Sequence, residues 1–261
     1  MNILDDIVAS KRKEIDFHIS AKPLKELECS RYFERKTFSI SQSIIDRNRT
    51  GIIAEFKRRS PSKGIINSKS LVGDVTSGYF NEGASAVSIL TEEVYFGGSC
   101  EDLTGVRETA SFPILRKDFT IDEYQVVESK SIGADAILII AAILEKNEIL
   151  RLSRLARSLE LEVLMEVHEK AELDKANEYV NIIGVNNRDL KTFSVNTDIS
   201  VSMARFIPSG FIKISESGIS SAGEIKKLRE AGFQGFLMGE RFMASSNPVM
   251  AFSEFVKEIN L

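Results

Sequence analysis

The chain has 261 residues, 43% hydrophobic and 28% charged, with 16 Gly and 5 Pro, a balance that argues against a disordered or low-complexity protein. Its net charge of −4, from 34 Lys and Arg against 38 Asp and Glu, gives no basis for a nucleic-acid surface or a polybasic membrane contact. The two cysteines, Cys29 and Cys100, lie in unrelated contexts, which argues against a structural zinc and makes a reducing cytoplasm the expected compartment.

The N-terminal MNILDDIVASKRKEI is acidic early and lacks the apolar run of a secretory signal. Residues 2–18 place Ile3, Leu4, Ile7, Val8, Lys11 and Ile15 at helical spacing, so an amphipathic helix is expected there, as an appendage ahead of the main body. A polar stretch with Pro23 and a weakly patterned segment complete an N-terminal helical extension over residues 1–48. The first strand is expected in Gly51-Ile52-Ile53-Ala54-Glu55-Phe56. The others are expected at Ala86–Leu90, Pro113–Arg116, Ala136–Ile140, Glu162–Glu166, Ile182–Asn186, Phe211–Ser215 and Gly235–Met238.

Several of these runs are apolar without alternation, as parallel strands covered on both faces should be. Between them lie helix patterns at Asp122–Lys130, Lys146–Ser158, Glu169–Asn177, Asn196–Phe206 and Ser221–Ala231, with Gly133 and Gly232 placed as C-terminal stops. Strand and helix alternate through the chain, and about 250 residues is a common size for a (β/α)8 barrel. A single TIM barrel domain over residues 1–261 is therefore expected. The most apolar stretch, Ala134–Leu144, is too short to span a bilayer. The polar connection from Arg58 to Lys69 reads either as a lid over the barrel mouth or as a mobile surface loop.

In a parallel barrel the C-terminal strand ends converge on one face, and here they carry reactive groups. Glu55 and Lys57 lie two residues apart on an extended chain and so share a face, either as catalytic groups or as a structural ion pair. Lys117 follows the third strand and Glu166 ends the fifth, either as groups facing the same cavity or as snorkelling surface charges. A lysine crowded by apolar walls or by a second ammonium would lose preference for its charged form and could act as a general acid. Asn186 closes the sixth strand, and Arg188 offers a fork for a carboxylate or phosphate, although a turn residue and a solvated charge would look the same.

Glu216-Ser217-Gly218 and Gly239-Glu240 end the last two strands, where barrels commonly hold phosphate, and Ser60 could add a hydroxyl. His18 and His168 read as structural, His168 as the start of a helix. Neither has a Ser or Cys partner suited to a triad, and the chain has no Walker A or GxGxxG loop.

Taken together, IIAEFKRRSPS, TEEVYFGGS, LRKDF, LMEVH, GVNNRDL, SESGI and LMGE, in this order behind an N-terminal helix, resemble the indole-3-glycerol phosphate synthase family over nearly the whole chain. The resemblance implies ring closure of 1-(2-carboxyphenylamino)-1-deoxyribulose 5-phosphate with loss of carbon dioxide and water, in tryptophan biosynthesis. It assigns catalysis to Lys117, Glu166, Lys57, Glu55, Asn186 and Glu216, with Glu55 and Glu216 orienting the lysines or holding substrate hydroxyls. It places Phe96, Phe119, Arg188 and Ser217 against the substrate, and Ser60, Gly218, Gly239 and the backbone of Glu240 at the phosphate. Arg241 is bulkier than the small residue expected beside that loop.

The resemblance further implies no metal, no cofactor, a small phosphorylated substrate and a cytoplasmic monomer. Phosphoribosylanthranilate isomerase or tryptophan synthase α would share the Gly218 and Gly239 region without the Glu55, Lys57 and Lys117 set. A sugar-phosphate binding protein would tolerate loss of Lys117.

Overall fold

In the computed structural model, which describes residues 3–189 and 192–259, eight parallel strands close into a barrel. They are β1 (Ile52–Phe56), β2 (Ala86–Leu90), β3 (Ile114–Lys117), β4 (Ala136–Ile140), β5 (Glu162–Val167), β6 (Ile182–Asn186), β7 (Ile212–Glu216) and β8 (Gly235–Met238). Each strand pairs with its sequence neighbours, and Ile52 opposite Phe236 closes the ring between β1 and β8. Asn2, at the start of the first predicted helix, and Leu190, the last letter of the GVNNRDL motif, lie outside the described residues.

Strand alternation sorts side chains into two sets. Ile53, Leu115, Leu138, Leu164, Ile214 and Leu237 point inward and pack against one another. Ile52, Ile114, Ile137, Met165 and Val185 point outward into a larger cluster with Val126, Leu152, Ile225 and Phe252 from the surrounding helices. Both faces are dry, which is why the strand sequences are continuous apolar runs. The same alternation carries the functional groups: Glu55 follows Ile53 inward, Lys117 follows Leu115, Glu166 follows Leu164 and Glu216 follows Ile214.

The helices begin and end on the expected signals. Asp122 and Gln125 form a capping box ahead of Glu123–Ser131, and Ser221 and Glu224 form one ahead of Ala222–Glu230. Gly133 and Gly232 take φ of 92° and 95° just past these helices, a conformation costly for other residues.

Several expectations need correction. The helix expected over 169–177 is a 3-10 helix, Lys170–Lys175: Ala176 turns extended, and Asn177 accepts the Tyr179 N–H at 3.0 Å instead of continuing the helix. The 196–206 helix is only Asp198–Met203 in α form, followed by a 3-10 turn at Ala204–Phe206, because Asn196 turns back to accept the Asp198 N–H at 2.9 Å. Helices at Val72–Asn81, Cys100–Arg107 and Pro248–Ile259 carried no recognised signal. In the first of them Gly78 lowers helix propensity but lets the helix approach the C-terminal one, since a Cβ there would fall 2.4 Å from Val249 Cγ2.

The Arg58–Lys69 connection contains a small antiparallel pair, Arg59–Ser60 with Gly64–Ile65. Its base is tied down by the Arg58 ion pair with Asp102 and by Asn67 Nδ2, which donates to Met243 O at 3.1 Å.

The N-terminal helix, Ile3–Ala21, is more than an appendage. Its Lys11, 1% exposed, reaches Asp118 Oδ1 at 2.9 Å beside the end of β3. Among the described residues no helix is long and apolar enough to cross a membrane.

Candidate active site

The inward residues at the strand ends meet in one cluster. Lys57 Nζ, just past β1, stands 2.7 Å from Glu55 Oε1. Lys117 Nζ, from β3, stands 3.2 Å from Glu166 Oε2 on β5 and 3.8 Å from Glu216 Oε2 on β7. Asn186, from β6, donates through Nδ2 to Glu166 Oε1 at 3.1 Å, so both oxygens of Glu166 have partners. Lys57 and Glu55 are thus an ion pair and also members of the cluster.

Burial and mutual charge give these groups distinct proton affinities. Burial alone would raise the Glu166 pKa, but the Lys117 ammonium, His168 and the Asn186 hydrogen bond outweigh it and leave the pKa below the ordinary value. Glu216 is pushed up to about 8, first by burial and then by the neighbouring Glu166 and Glu55 carboxylates, against the pull of Lys117.

Burial pulls Lys117 down, yet Glu166, Glu216 and Glu55 together hold its pKa above the ordinary lysine value. This reverses the expectation that Lys117 would lose preference for its charged form. The second ammonium nearby, Lys57, is paired with Glu55, and the charges of Glu166, Glu216 and Glu55 around Lys117 outweigh its burial.

The cluster forms one side of a cavity of about 980 Å³, including its open mouth. Phe96 and Phe119 line it as well, with ring centroids 6.2 Å apart and planes inclined at 40°. Ile3, Leu4 and Ile7 of the N-terminal helix line the same cavity. Its remaining wall includes Ser60, Arg188, Ser217 and Glu240. The cavity thus combines proton-bearing groups with aromatic and aliphatic ones, as suits an aromatic compound that carries polar groups.

The model of the family described as "Indole-3-glycerol phosphate synthase" matches residues 4–255. The indole-3-glycerol phosphate synthase of Bacteroides thetaiotaomicron is 42% identical over 258 residues, covering 99% of each chain. That of Polaromonas sp. is 40% identical, covering 97% of each. The chain belongs to the indole-3-glycerol phosphate synthase family. Members of this family are lyases of tryptophan biosynthesis that act on a small phosphorylated substrate and release carbon dioxide as the indole ring closes.

Fold likeness extends further. The 3-hexulose-6-phosphate synthase of Salmonella typhimurium superposes with a TM-score of 0.65 at 10% identity, over 81% of this chain and 99% of that one. A chain of the tryptophan synthase complex of Pyrococcus furiosus gives 0.59 at 12% identity, over 80% of this chain and 97% of that one. At such identities the likeness shows a shared barrel and nothing finer.

In this member of the indole-3-glycerol phosphate synthase family, the glycines expected near the phosphate have packing reasons of their own. Gly218 takes φ of 76°, and a Cβ there would fall 2.1 Å from Val195 Cγ1. A Cβ on Gly239 would fall 2.8 Å from Glu55 Cβ, so Gly239 lets β8 close against the Glu55 side chain. Glu240 Oε2 lies 3.3 Å from Arg188 Nη2, and Glu240 Oε1 lies 3.5 Å from Lys63 Nζ, so its carboxylate holds both cations at the cavity rim. Arg241 turns away: it donates to Ser220 O, lies 3.5 Å from Glu258 Oε2 and covers the Phe255 ring.

The motif reading passed over two residues that shape the site. Glu92, 1% exposed, accepts the N–H groups of Tyr95 and Phe96 at 2.7 and 2.9 Å and so sets the loop that presents the Phe96 ring. Gly184, in the middle of β6, makes room for Glu216: a Cβ there would lie 2.0 Å from Glu216 Oε1. A glycine inside a β-branched run was the available signal. Gly184→Ala should fold but displace the Glu216 carboxylate, lowering kcat by about 10- to 100-fold. Steady-state kinetics checks this beside a melting curve, and an unchanged kcat would mean that the Glu216 position is not critical.

Proposed function

We propose that this chain performs the family's ring closure through the cluster of Lys117, Glu166, Glu216, Lys57 and Glu55, with Phe96 and Phe119 holding the anthranilate ring. Attack of the ring carbon on the ketone places charge on the ketone oxygen, and Lys117 donates a proton to it as the carbon–carbon bond forms. Glu216, which retains a proton near neutrality, stands 3.8 Å from Lys117 Nζ and can return the proton that Lys117 gives up. Lys57 holds the carboxylate until carbon dioxide leaves and its bonding electrons restore aromaticity.

In the dehydration Lys57 gives a proton to the departing hydroxyl, and Glu166 takes the remaining proton from the new ring. That order is supported by the lowered Glu166 pKa, which keeps the group ionised and ready to act as a base. Glu55 orients Lys57, and Asn186 orients Glu166. Ser60, Arg188, Ser217 and the backbone at Gly218, Gly239 and Glu240 hold the phosphate and nearby hydroxyls. The phosphate is remote from the bonds that change, so its binding energy serves orientation. No metal or organic cofactor enters the scheme, and a cytoplasmic monomer completes the reading.

The observation that carries this proposal is Lys117 between Glu166 and Glu216 in the cavity walled by Phe96 and Phe119. The test is to add the carboxyphenylamino-deoxyribulose phosphate and follow indole fluorescence, for which the 0 Trp of the chain leaves a low background. Folded protein should produce indole-3-glycerol phosphate, and a flat trace would reject the proposal. Light scattering on the eluted peak should read the mass of one chain.

A further inference from the structure

His168 presents a conflict that the scheme above leaves unresolved. It follows β5 two positions after Glu166, its side chain is 16% exposed, and neither ring nitrogen makes a hydrogen bond among the described residues. Buried polar groups are nearly always satisfied, and an exception calls for a reason. Here each nitrogen has a carboxylate close by. Nε2 lies 3.4 Å from Glu166 Oε1, and Nδ1 lies 3.9 Å from Glu172 Oε2.

Glu172 is itself fixed, because its Oε2 accepts the His168 N–H at 2.6 Å and the Glu169 N–H at 3.4 Å. The imidazole therefore stands between an anchored carboxylate on the 3-10 turn and a carboxylate of the reaction cluster. It does not line the cavity, so it acts on substrate only through Glu166.

We propose that His168 is a positioning residue for the family reaction, setting the direction and charge of the Glu166 carboxylate through Nε2 while Glu172 holds the ring from behind. The inference rests on the reading of Glu166 as the base. Glu166 Oε1 accepts from Asn186 and lies 3.4 Å from His168 Nε2, whereas Oε2 faces Lys117. Without His168 the carboxylate loses the group that steadies it from its own strand end, and it is freer to swing toward Lys117.

The other charged groups around Glu166 are Lys117 on β3 and Glu216 on β7, with Glu55 on β1 and Lys57 just past that strand beyond them. Lys175, on the same turn as Glu172, is turned toward the carbonyls of Ala141 and Leu144. Among the described residues His168 is, after Lys117, the basic side chain nearest Glu166, and it adds to the influences that keep the Glu166 proton affinity low.

The test is the pH profile of kcat and KM for His168→Ala and His168→Gln, with thermal unfolding as the fold check. His168→Ala should lower kcat about tenfold with KM little changed, and should move the acid limb of the kcat profile upward by about one pH unit, because Glu166 then takes a proton more readily. His168→Gln, which offers a neutral N–H to Oε1, should recover part of kcat while leaving the acid limb displaced. If His168→Ala fails to fold, the displaced limb of His168→Gln carries the same measurement.

An acid limb that stays in place in the folded variants would reduce His168 to packing and overturn the proposal. A change in KM alone would overturn it too. Glu166→Gln separates the two levels. If it abolishes turnover while the His168 variants leave the limb in place, the base stands and the positioning role falls. If it keeps turnover, the base reading fails and takes this inference with it.

Discussion

Lys117→Ala should lower kcat by about 10²- to 10⁴-fold, the range expected when a positioned proton donor is lost. The change removes the one ammonium that, among the described residues, lies within 4 Å of both Glu166 and Glu216. Its consequence for stability depends on pH, and the sign follows from the carboxyls. In the parent, Lys117 has a raised pKa, so its contribution is fully present below the ordinary lysine range and is lost only as pH rises through the higher folded value. In the variant, Glu166 and Glu216 lose their nearest cation, and burial with mutual repulsion raises both in the folded state. A carboxyl whose folded pKa lies above its unfolded one binds more protons when folded, so stability falls as pH rises between the two values.

Glu216 already reaches about 8 with Lys117 present, so the window opens in the usual carboxylate range and extends to that value or beyond. The melting difference between parent and variant should therefore be smallest in mild acid and widen progressively toward alkaline pH. Turnover within tenfold of the parent would remove Lys117 from the proton-transfer role. A melting difference independent of pH would show that the carboxyls do not share one desolvated site.

Much of this was legible because strand alternation is simple physics. Ile53, Glu55 and Lys57 had to share a face, and so did Leu115, Lys117 and Phe119, once their segments were read as strands. Arg116 and Asp118 then had to point outward, where Arg116 meets Glu128 Oε2 at 2.7 Å and Asp118 meets Lys11.

Less accessible were properties set by neighbours distant in sequence. The direction of the Lys117 shift depends on Glu166 and Glu216 arriving from two other strands, and no local pattern around Lys117 carries that information. The amphipathic pattern of Ile3, Leu4 and Ile7 announced a buried face without saying that the cavity was what it covers. His168 read as a helix start from its place just past the fifth strand; its setting between Glu166 and Glu172 depends on the bend that follows β5. The helix at Val72–Asn81 was obscured because Gly78 answers to packing against Val249 rather than to helix propensity.

Asp135→Ala should destabilise the fold by about 3–5 kcal/mol, the usual cost of removing one member of a buried ion pair and leaving its partner charged. Asp135 sits just before β4, at the end of the barrel opposite the strand ends that carry Lys117 and Glu166, and is fully buried. Oδ1 takes Arg35 Nη2 at 2.6 Å and the Phe38 N–H at 2.8 Å, while Oδ2 takes the Ile114 N–H at 2.7 Å and pairs with Arg107.

One carboxylate thereby ties the N-terminal segment to the start of β3 and to the helix after β2. Arg107 also donates to the carbonyls of Gly133, Ala110 and Phe112, but these carry no countercharge, and burial already draws its pKa down to about 10 with Asp135 in place. Asp135→Asn, which keeps acceptor capacity but not charge, should fall between parent and Ala. Urea unfolding measures the loss, and kcat/KM of the surviving folded protein should match the parent because, among the described residues, the partners of the Asp135 side chain lie outside the cavity lining. A loss below about 1 kcal/mol would mean that water or rearranged carbonyls satisfy Arg107 as well as the carboxylate does. A changed KM at preserved stability would instead mean that the far end of the barrel is mechanically coupled to the mouth, with β3 as the element common to both.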